Sequence, residues 1–370
     1  LFNHGFPALQ NQIIVIFAPA FGNRFSNAPN KRTLQKMDKN SIIGLLAIGG
    51  ILIAWLLLSQ PSKEQLAKQK QLQDSVRLYE QAKVNNAQLD KVSKERETVT
   101  PELANDSIIN FRKKQEFGDF ASATSGNDQP VVIENDLLKA TILPKGGRIA
   151  SIELKKYKRF DTKPLLLFDG DSSVQNITFK ALSKQFSTDS FYFTPSGTGF
   201  KISGTESKSI SFRLYAGSPA KYIEYVYTLR GDDYMMDYRV NFIGMQDLVA
   251  PASNELIFNW QMKTPNQEQN HQTQQQASTI YYKYANDEFD KISETSDEKL
   301  ALEEPVKWIG FKQQFFTSVI ITDNVPFNKN STIETAAQPG SKSYVKNFQA
   351  ALSLPYTHQK TEGYTMRMYF

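Results

Sequence analysis

The pattern of apolar and polar positions divides the chain into three stretches. The first contains an unbroken apolar run from Ile42 to Leu58, inside a window from Asn40 to Ser62 that carries no charge. As a helix this run is roughly 26 Å long, which is close to the hydrocarbon thickness of a bilayer, about 30 Å. No polar face interrupts it, which disfavours a buried core helix of a soluble protein. The pattern predicts a membrane-spanning helix, with Trp55 as its anchor at the membrane interface.

A cleaved signal peptide is the alternative, because Lys39 precedes the apolar run. The run is longer than the apolar region of such peptides, about 7 to 15 residues, and no small-residue cleavage site follows it. We therefore expect an uncleaved signal anchor over residues 37–61. Met37 stands just before the anchor and the chain begins with Leu1, so we expect residues 1–36 to be a non-native upstream extension.

The second stretch, residues 62–130, is polar. Leu72, Val76 and Tyr79 fall at helical spacing and form a thin apolar stripe, which predicts a partly ordered juxtamembrane helix. This helix is expected to break near Thr98–Pro101. The composition of Ala121–Pro130, ASATSGNDQP, predicts a flexible linker.

The third stretch, residues 131–370, consists of short β-type runs. Ile210, Phe212 and Leu214 alternate with polar residues, and the turn signals PKGG at 144–147 and RGDD at 230–233 predict two hairpins. No helical pattern separates the runs, so we predict a mainly β fold built as a large antiparallel sandwich. The Gln-rich segment Asn266–Gln276 is expected to be a solvated loop. The other predicted strands are Leu256–Trp260, Thr279–Tyr284, Phe315–Ile321, Tyr344–Leu352 and Tyr364–Phe370.

Composition narrows the chemistry. The 370 residues contain 43 basic and 38 acidic side chains, and this mild excess does not indicate a nucleic-acid partner. The absence of cysteine excludes disulfides and thiolate sites. Three histidines make a histidine-rich metal site improbable, and no phosphate-binding loop or catalytic motif is present. We therefore predict no catalytic residue, no metal and no cofactor.

Several short motifs have two interpretations. Arg230-Gly231-Asp232 matches an adhesion motif, but Gly and Asp also suit a hairpin turn, which we favour. The basic run from Lys155 to Arg159 suits a lipid headgroup or nucleic acid, yet a solvated strand end is the simpler interpretation. His271 has no second ligand nearby in sequence and is expected to be a surface residue.

The densest aromatic feature is WIGFKQQFF, from Trp308 to Phe316. Its simplest interpretation is core, because a turn here would deliver alternate residues to the two faces of a strand. Four large aromatic side chains in so short a segment also suit a contact surface for a partner. The candidate site residues, for core or for partner contact, are Trp308, Phe311, Gln313, Gln314, Phe315 and Phe316.

Four segments resemble one known family. They are MDKNSIIGLLAIGGILIAWLLL from Met37, ENDLLKATILPKGGRIASIELKKYK from Glu134, KWIGFKQQFFTSVII from Lys307 and YTMRMYF from Tyr364, and they are similar to YidC-type membrane protein insertases, in particular their Bacteroidetes members. The resemblance implies an inner-membrane anchor with a cytoplasmic N-terminus and residues 62–370 in the periplasm. It also implies a periplasmic β-supersandwich of the galactose-mutarotase type over 131–370.

The resemblance further implies an insertase and chaperone that helps inner-membrane proteins insert and fold, with the lipid bilayer, Sec translocon components and nascent membrane proteins as partners. Family members carry the insertion groove on five later membrane helices, which have no counterpart here, so this chain corresponds to the anchor and the periplasmic accessory domain. The alternative is a membrane-anchored carbohydrate-binding or mutarotase-like domain, because such enzymes share the supersandwich. Their acid–base chemistry needs a histidine and a carboxylate, and only His271 and His358 are available in the domain.

Overall fold

A computed structural model describes residues 102–181 and 184–370, with the side chains of 102–107 and 171 left aside. The predicted anchor with Trp55, the extension 1–36 and the predicted juxtamembrane helix lie outside the described residues. Within the described residues, no helix combines the length and the apolar character that crossing a bilayer requires. Ser107–Phe370 belong to one compact unit.

Strands dominate the described residues. There are two α-helices, α1 (Glu102–Phe117) and α2 (His271–Ala277), and short 3₁₀ segments at Gly118–Thr124, Gly170–Ser172 and Thr188–Ser190. The first ten strands are β1 (Val131–Glu134), β2 (Leu138–Leu143), β3 (Arg148–Lys158), β4 (Pro164–Phe168), β5 (Ser173–Ala181), β6 (Lys184–Ser187), β7 (Thr194–Pro195), β8 (Gly199–Lys201), β9 (Ser207–Ser218) and β10 (Lys221–Arg230). The other ten are β11 (Met235–Ile243), β12 (Glu255–Pro265), β13 (Thr279–Tyr284), β14 (Phe289–Lys291), β15 (Glu298–Ala301), β16 (Val306–Lys312), β17 (Thr317–Thr322), β18 (Thr332–Ala337), β19 (Tyr344–Pro355) and β20 (Thr361–Tyr369).

The strands form three sheets. The five-stranded sheet has the order β4-β3-β2-β1-β8, the nine-stranded sheet β14-β13-β16-β17-β20-β11-β10-β9-β7, and the six-stranded sheet β15-β18-β19-β12-β5-β6. Among these strand pairs, only β1–β8 is parallel. The mainly β, antiparallel fold predicted from the sequence is confirmed.

Period-two alternation determines which side chains enter the core, because successive side chains of a strand point to opposite faces. In β10, Ile223, Tyr225, Tyr227 and Leu229 are buried while the residues between them are partly exposed. The turns predicted at 144–147 and 230–233 join β2 to β3 and β10 to β11. Gly146 and Gly147 have φ of +84° and +61°, which a side chain with a Cβ adopts only with strain.

The nine-stranded and six-stranded sheets face each other across an aromatic core. Trp260 of β12 stacks on Phe311 of β16 with ring centroids 4.0 Å apart, and Phe311 also lies 5.3 Å from Phe348 of β19. Further along the same interface Tyr238 of β11 contacts Phe258 of β12 at 6.3 Å. These pairs join strands of the two sheets, so the core lies between them.

The segment before β1 packs against the domain. Phe117 and Phe120 contact the Phe191 ring at centroid distances of 5.8 and 5.3 Å, and Phe120 is 1% exposed. The amide of Tyr192 donates to the carbonyl of Ala123. The first residues of the expected linker Ala121–Pro130 therefore lie against the domain. Phe117 and Phe120 cause this difference, since they add apolar area that offsets the entropy of ordering the segment.

The prediction of a solvated loop at Asn266–Gln276 is wrong. α2 occupies its second half, with the Asn270 side chain accepting from the amide of Thr273 at the helix start. Gln274 is 1% exposed, because its side chain accepts from the amide of Gln267 and donates to the carbonyl of Pro265. Its amide group thus replaces water for backbone groups that are buried.

Two lysines stabilise the carboxyl end of α2. Lys312 Nζ donates to the carbonyl of Ala277 at 2.6 Å, and Lys346 Nζ donates to the carbonyls of Ser278 and Glu294, each at 2.7 Å. Cations are favourable at this end of a helix, where carbonyls lack intrahelical partners. Burial lowers the pKa of both ammonium groups.

We expect Gly199→Ala to destabilise the domain, because a Cβ there would lie 2.1 Å from the Val132 carbonyl oxygen and Gly199 has φ +106°. Strain and overpacking together predict a loss of about 2–5 kcal/mol. Gly340→Ala is the control: its φ is +78° and no atom lies within 4 Å of the added Cβ, so only strain of about 1–2 kcal/mol is expected. Denaturant midpoints measure both changes, and equal losses would contradict the role assigned to close approach.

Candidate functional site

The segment from Trp308 to Phe316 covers most of β16 and the turn into β17. Trp308, Phe311 and Gln313 are buried, Gln314 and Phe316 are half-buried, and Phe315 is 58% exposed. A strand followed by a tight turn explains this division, because strand residues pack on a sheet face while turn residues project from the sheet end. The segment therefore supplies both core and surface.

Trp308 and Phe311 occupy opposite faces of β16. Phe311 belongs to the core between the sheets through its stack on Trp260. Trp308 forms a second, smaller cluster with Val319 and Ile321 of β17. Half-buried Met235, Tyr281 and Tyr369 pack around that cluster, which lies on the outward face of the nine-stranded sheet.

Gln313 fixes the turn. Its amide donates to the Phe316 carbonyl at 2.8 Å, which closes the β16–β17 hairpin. Its side-chain Nε2 donates to the carbonyl of Leu167 in β4 at 3.0 Å, so it also ties the nine-stranded sheet to the five-stranded sheet. This buried side-chain amide therefore both stabilises the fold and sets the position of the turn relative to β4.

The turn carries its aromatic rings to the edge of the β3–β4 hairpin. The Phe316 ring meets the Tyr157 ring edge-on, with centroids 5.3 Å apart and an interplanar angle of 77°. Phe315 makes no ring contact within the described residues and presents its side chain to solvent.

In the basic run at the end of β3, the side chain of Lys155 is hydrogen-bonded, whereas those of Lys156 and Lys158 are exposed. Lys155 Nζ lies 2.6 Å from Glu134 Oε1 and 2.5 Å from the carbonyl oxygen of Asn135. The hydrogen bond from Lys155 lowers the pKa of the Glu134 carboxyl. Lys156, Tyr157 and Lys158 are exposed, which leaves them open to solvent or to a binding surface.

The histidines of the domain lie in separate settings. His358 Nε2 is 3.1 Å from the Ser253 carbonyl oxygen, and its ring stands edge-on to Tyr356 at 4.7 Å. His271 is the first residue of α2. In the part of the chain that the structure describes, no group of three or more His, Asp or Glu side chains is arranged to hold a metal ion.

A cavity of about 300 Å³ lies between residues 122–131 and the segment around β7. Ser122, Asn127, Gln129, Tyr192, Thr198 and Tyr215 supply side chains to its wall. Its lining contains no carboxylate, lysine or histidine, so it offers hydroxyl, amide and ring contacts but no acid–base pair. Sequence reasoning missed this cavity, because it forms only when the expected linker packs against Tyr192.

Comparison with known sequences identifies relatives. The family model of the YidC periplasmic domain matches residues 130–370. The chain is 32% identical over 337 residues to the membrane protein insertase YidC of Parabacteroides distasonis, a match that covers 90% of this chain and 51% of that protein. The corresponding protein of Bacteroides fragilis is 32% identical over 334 residues, with 90% and 51% covered. The chain thus spans about half the length of the curated relatives it matches.

Solved structures show weaker likeness. The GalM/aldose epimerase homologue from C. elegans matches with a TM-score of 0.37 and 11% identity, covering 66% of this chain and 98% of that one. A galactose mutarotase-like protein from Lactobacillus casei gives a TM-score of 0.40 and 9% identity, with 65% and 99% covered. Likeness of this degree carries no argument about chemistry.

Phe311→Ala and Phe315→Ala should separate the buried and exposed parts of the segment. Loss of the buried ring and its stack on Trp260 should lower the free energy of unfolding by about 3–5 kcal/mol. Loss of the exposed ring should change it by less than about 0.5 kcal/mol. Urea unfolding followed by tryptophan fluorescence measures both, and a large loss for Phe315→Ala would show that this ring packs in the fold.

Proposed function

This chain belongs to the YidC family of membrane protein insertases, and on that premise we propose that it is the membrane anchor and periplasmic scaffold of such an insertase. The match of residues 130–370 to the periplasmic domain carries the proposal. The charge-free apolar run Ile42–Leu58 precedes that domain in the sequence, as an anchor would. We assign residues 37–61 to the anchor, 62–130 to the connection and 131–370 to the periplasmic domain.

The outward face of the six-stranded sheet supports an aqueous location for the domain. Along β12, Glu255 and Lys263 are exposed, and Asn259 between them is half-buried. Asn259 Nδ2 donates to Asn176 Oδ1 at 2.8 Å and to Thr178 Oγ1 at 2.9 Å on the neighbouring strand. An antiparallel sheet with one packed face and one polar face is typical of a domain in water, and hydrocarbon would leave such groups poorly solvated.

We further infer that the three sheets form a β-supersandwich of the galactose-mutarotase type, because family members have that architecture and the sheets are large and antiparallel. The domain then acts by binding and positioning. His358 is bonded to a backbone carbonyl and packed on Tyr356, which supports a structural use of that ring. Fold alone does not carry the chemistry of mutarotases.

As partners we propose nascent membrane proteins and components of the Sec translocon. An accessory domain beside an insertion site meets the segments that emerge from the bilayer and the proteins that deliver them. Moving a polar chain into lipid needs a path that pairs or hydrates its polar groups. The single apolar run of this chain supplies no such path, so insertion itself belongs to other membrane segments of the whole protein.

Single-cysteine labelling tests the topology, because the native chain contains no cysteine. Thr205→Cys places a thiol at an exposed position beside Gly204, and Asn40→Cys places one before the predicted anchor. A membrane-impermeant maleimide should label Thr205→Cys in intact spheroplasts and Asn40→Cys only after lysis. The opposite pattern would refute the proposed orientation.

An insertion assay tests the division of labour. The 370-residue chain reconstituted in liposomes should not insert a model membrane protein, whereas the YidC of Bacteroides fragilis under the same conditions is the positive control. Protease protection of the substrate measures insertion. Protection above the level of empty liposomes by this chain alone would disprove the scaffold role.

A further inference from the structure

Two hairpin loops from different sheets meet at one end of the domain. The first is the β3–β4 loop at residues 159–163, and the second is the β16–β17 loop at residues 313–316. The ring contact between Tyr157 and Phe316 joins them. We call Tyr157, Phe160, Phe315 and Phe316 the aromatic tip.

Three of the four side chains of the aromatic tip are exposed to solvent. Tyr157 is 47% exposed, Phe160 52% and Phe315 58%. Backbone hydrogen bonds hold both loops: the amide of Phe160 donates to the Gln267 carbonyl at 3.1 Å, and the amide of Gln313 donates to the Phe316 carbonyl at 2.8 Å. None of the exposed rings lines the cavity beside β7.

Positive charge surrounds the aromatic tip. Lys156 and Lys158 are exposed, and neither forms an ion pair with a carboxylate among the described residues. Arg159 and Lys163 share the single carboxylate of Asp161, each at 3.2 Å. The segment from Lys155 to Lys163 thus has five basic side chains and one acidic one.

Acidic groups elsewhere near the loops leave this excess in place. Glu268 follows Gln267, to which Phe160 is bonded, and adds one partly buried carboxyl near the loops. Lys155 is engaged with Glu134, so it adds little to the outer field. Around the β3–β4 loop, the four basic side chains outside the Lys155–Glu134 pair therefore outnumber the carboxyls of Asp161 and Glu268.

We propose that the aromatic tip docks on the headgroup layer of a bilayer containing anionic phospholipid. Tyrosine favours the lipid–water interface, phenylalanine buries at the boundary between headgroups and acyl chains, and basic side chains beside them are attracted to anionic lipids. The loops project from strand ends, where the rings and the basic side chains can meet one anionic surface together. The inference rests on the proposed function only in that the domain must stand beside a membrane.

The test uses the full chain with a single environment-sensitive fluorophore on Thr162→Cys, an exposed position in the β3–β4 loop. Proteoliposomes of phosphatidylcholine alone, or of equal parts phosphatidylcholine and phosphatidylglycerol, carry a nitroxide quencher on their headgroups. Quenching should be strong with phosphatidylglycerol and weak without it. A fluorophore on Ala285→Cys should stay unquenched. The start of β13 lies beside the β16–β17 loop, where Thr279 pairs with Lys312, whereas Ala285 follows the opposite end of the strand.

Substitutions then assign the contact. Lys156→Gln and Lys158→Gln should each lower the docked-to-undocked ratio about fivefold, the equivalent of about 1 kcal/mol per basic residue at an anionic surface. Phe160→Ser combined with Phe315→Ser should lower it further. Matched controls are Lys329→Gln and Phe289→Ser, an exposed lysine and a 55% exposed ring elsewhere on the domain, and these should leave it unchanged.

Equal quenching at Thr162 and Ala285, or quenching that ignores the tip substitutions, would overturn the proposal. Quenching in native membranes but not in pure lipid would assign the tip to a protein and would also overturn it. Should the chain fail to anchor, which would count against the proposed function, a histidine tag at its N-terminal end bound to nickel-chelating lipid restores the tether, and the same quenching still reports docking by the tip. The two proposals therefore fail separately.

Discussion

The facing of the nine-stranded and six-stranded sheets is the constraint on which the domain depends. Its centre is the stack of Trp260 on Phe311, which brings β12 and β16 together at 4.0 Å between ring centroids. Because side chains alternate between faces, a slip of one residue in either strand would turn its aromatic side chain out of the core. The stack therefore holds the register of β12 against β19 and β5, and that of β16 against β13 and β17. The position of the turn that follows β16 depends on this register.

That register determines what the domain presents to its surroundings. With Phe311 in the core, the next residues of the chain form the turn that closes between Gln313 and Phe316. Gln313 also bonds to Leu167, which places the turn beside the β3–β4 hairpin. Neighbouring residues thus differ in role: Phe311 stabilises the fold, while Phe315 projects into solvent from a turn that backbone hydrogen bonds close. An exposed ring on a hydrogen-bonded turn is suited to docking, because little backbone entropy is lost on contact.

Local signals predicted much of this fold, and non-local contacts account for the rest. The turn residues at 144–147 and 230–233 and the alternation around Ile210–Leu214 act over a few residues, so the strands beside them could be read from the sequence. The Gln-rich segment could not, because Gln274 is bonded to Gln267 and Pro265, which come together only when the segment folds back on itself, and its polar composition does not reveal that. The packing of Phe120 likewise depends on Phe191, a partner remote in sequence. The division of Trp308–Phe316 between core and surface needed the position of the turn, which composition does not reveal.

A surface as small as the aromatic tip is adequate only when the domain is tethered. Two free lysines contribute about 2 kcal/mol at an anionic surface, whereas even a millimolar dissociation constant requires about 4 kcal/mol. If Ile42–Leu58 holds the chain in the bilayer, docking becomes intramolecular, with an effective concentration on the order of mM. Partial burial of three rings then supplies the remaining free energy, and the tip is docked and released with comparable probability. A stronger surface would fix the domain against the membrane, and a scaffold that receives emerging chains has to leave that surface as well as reach it.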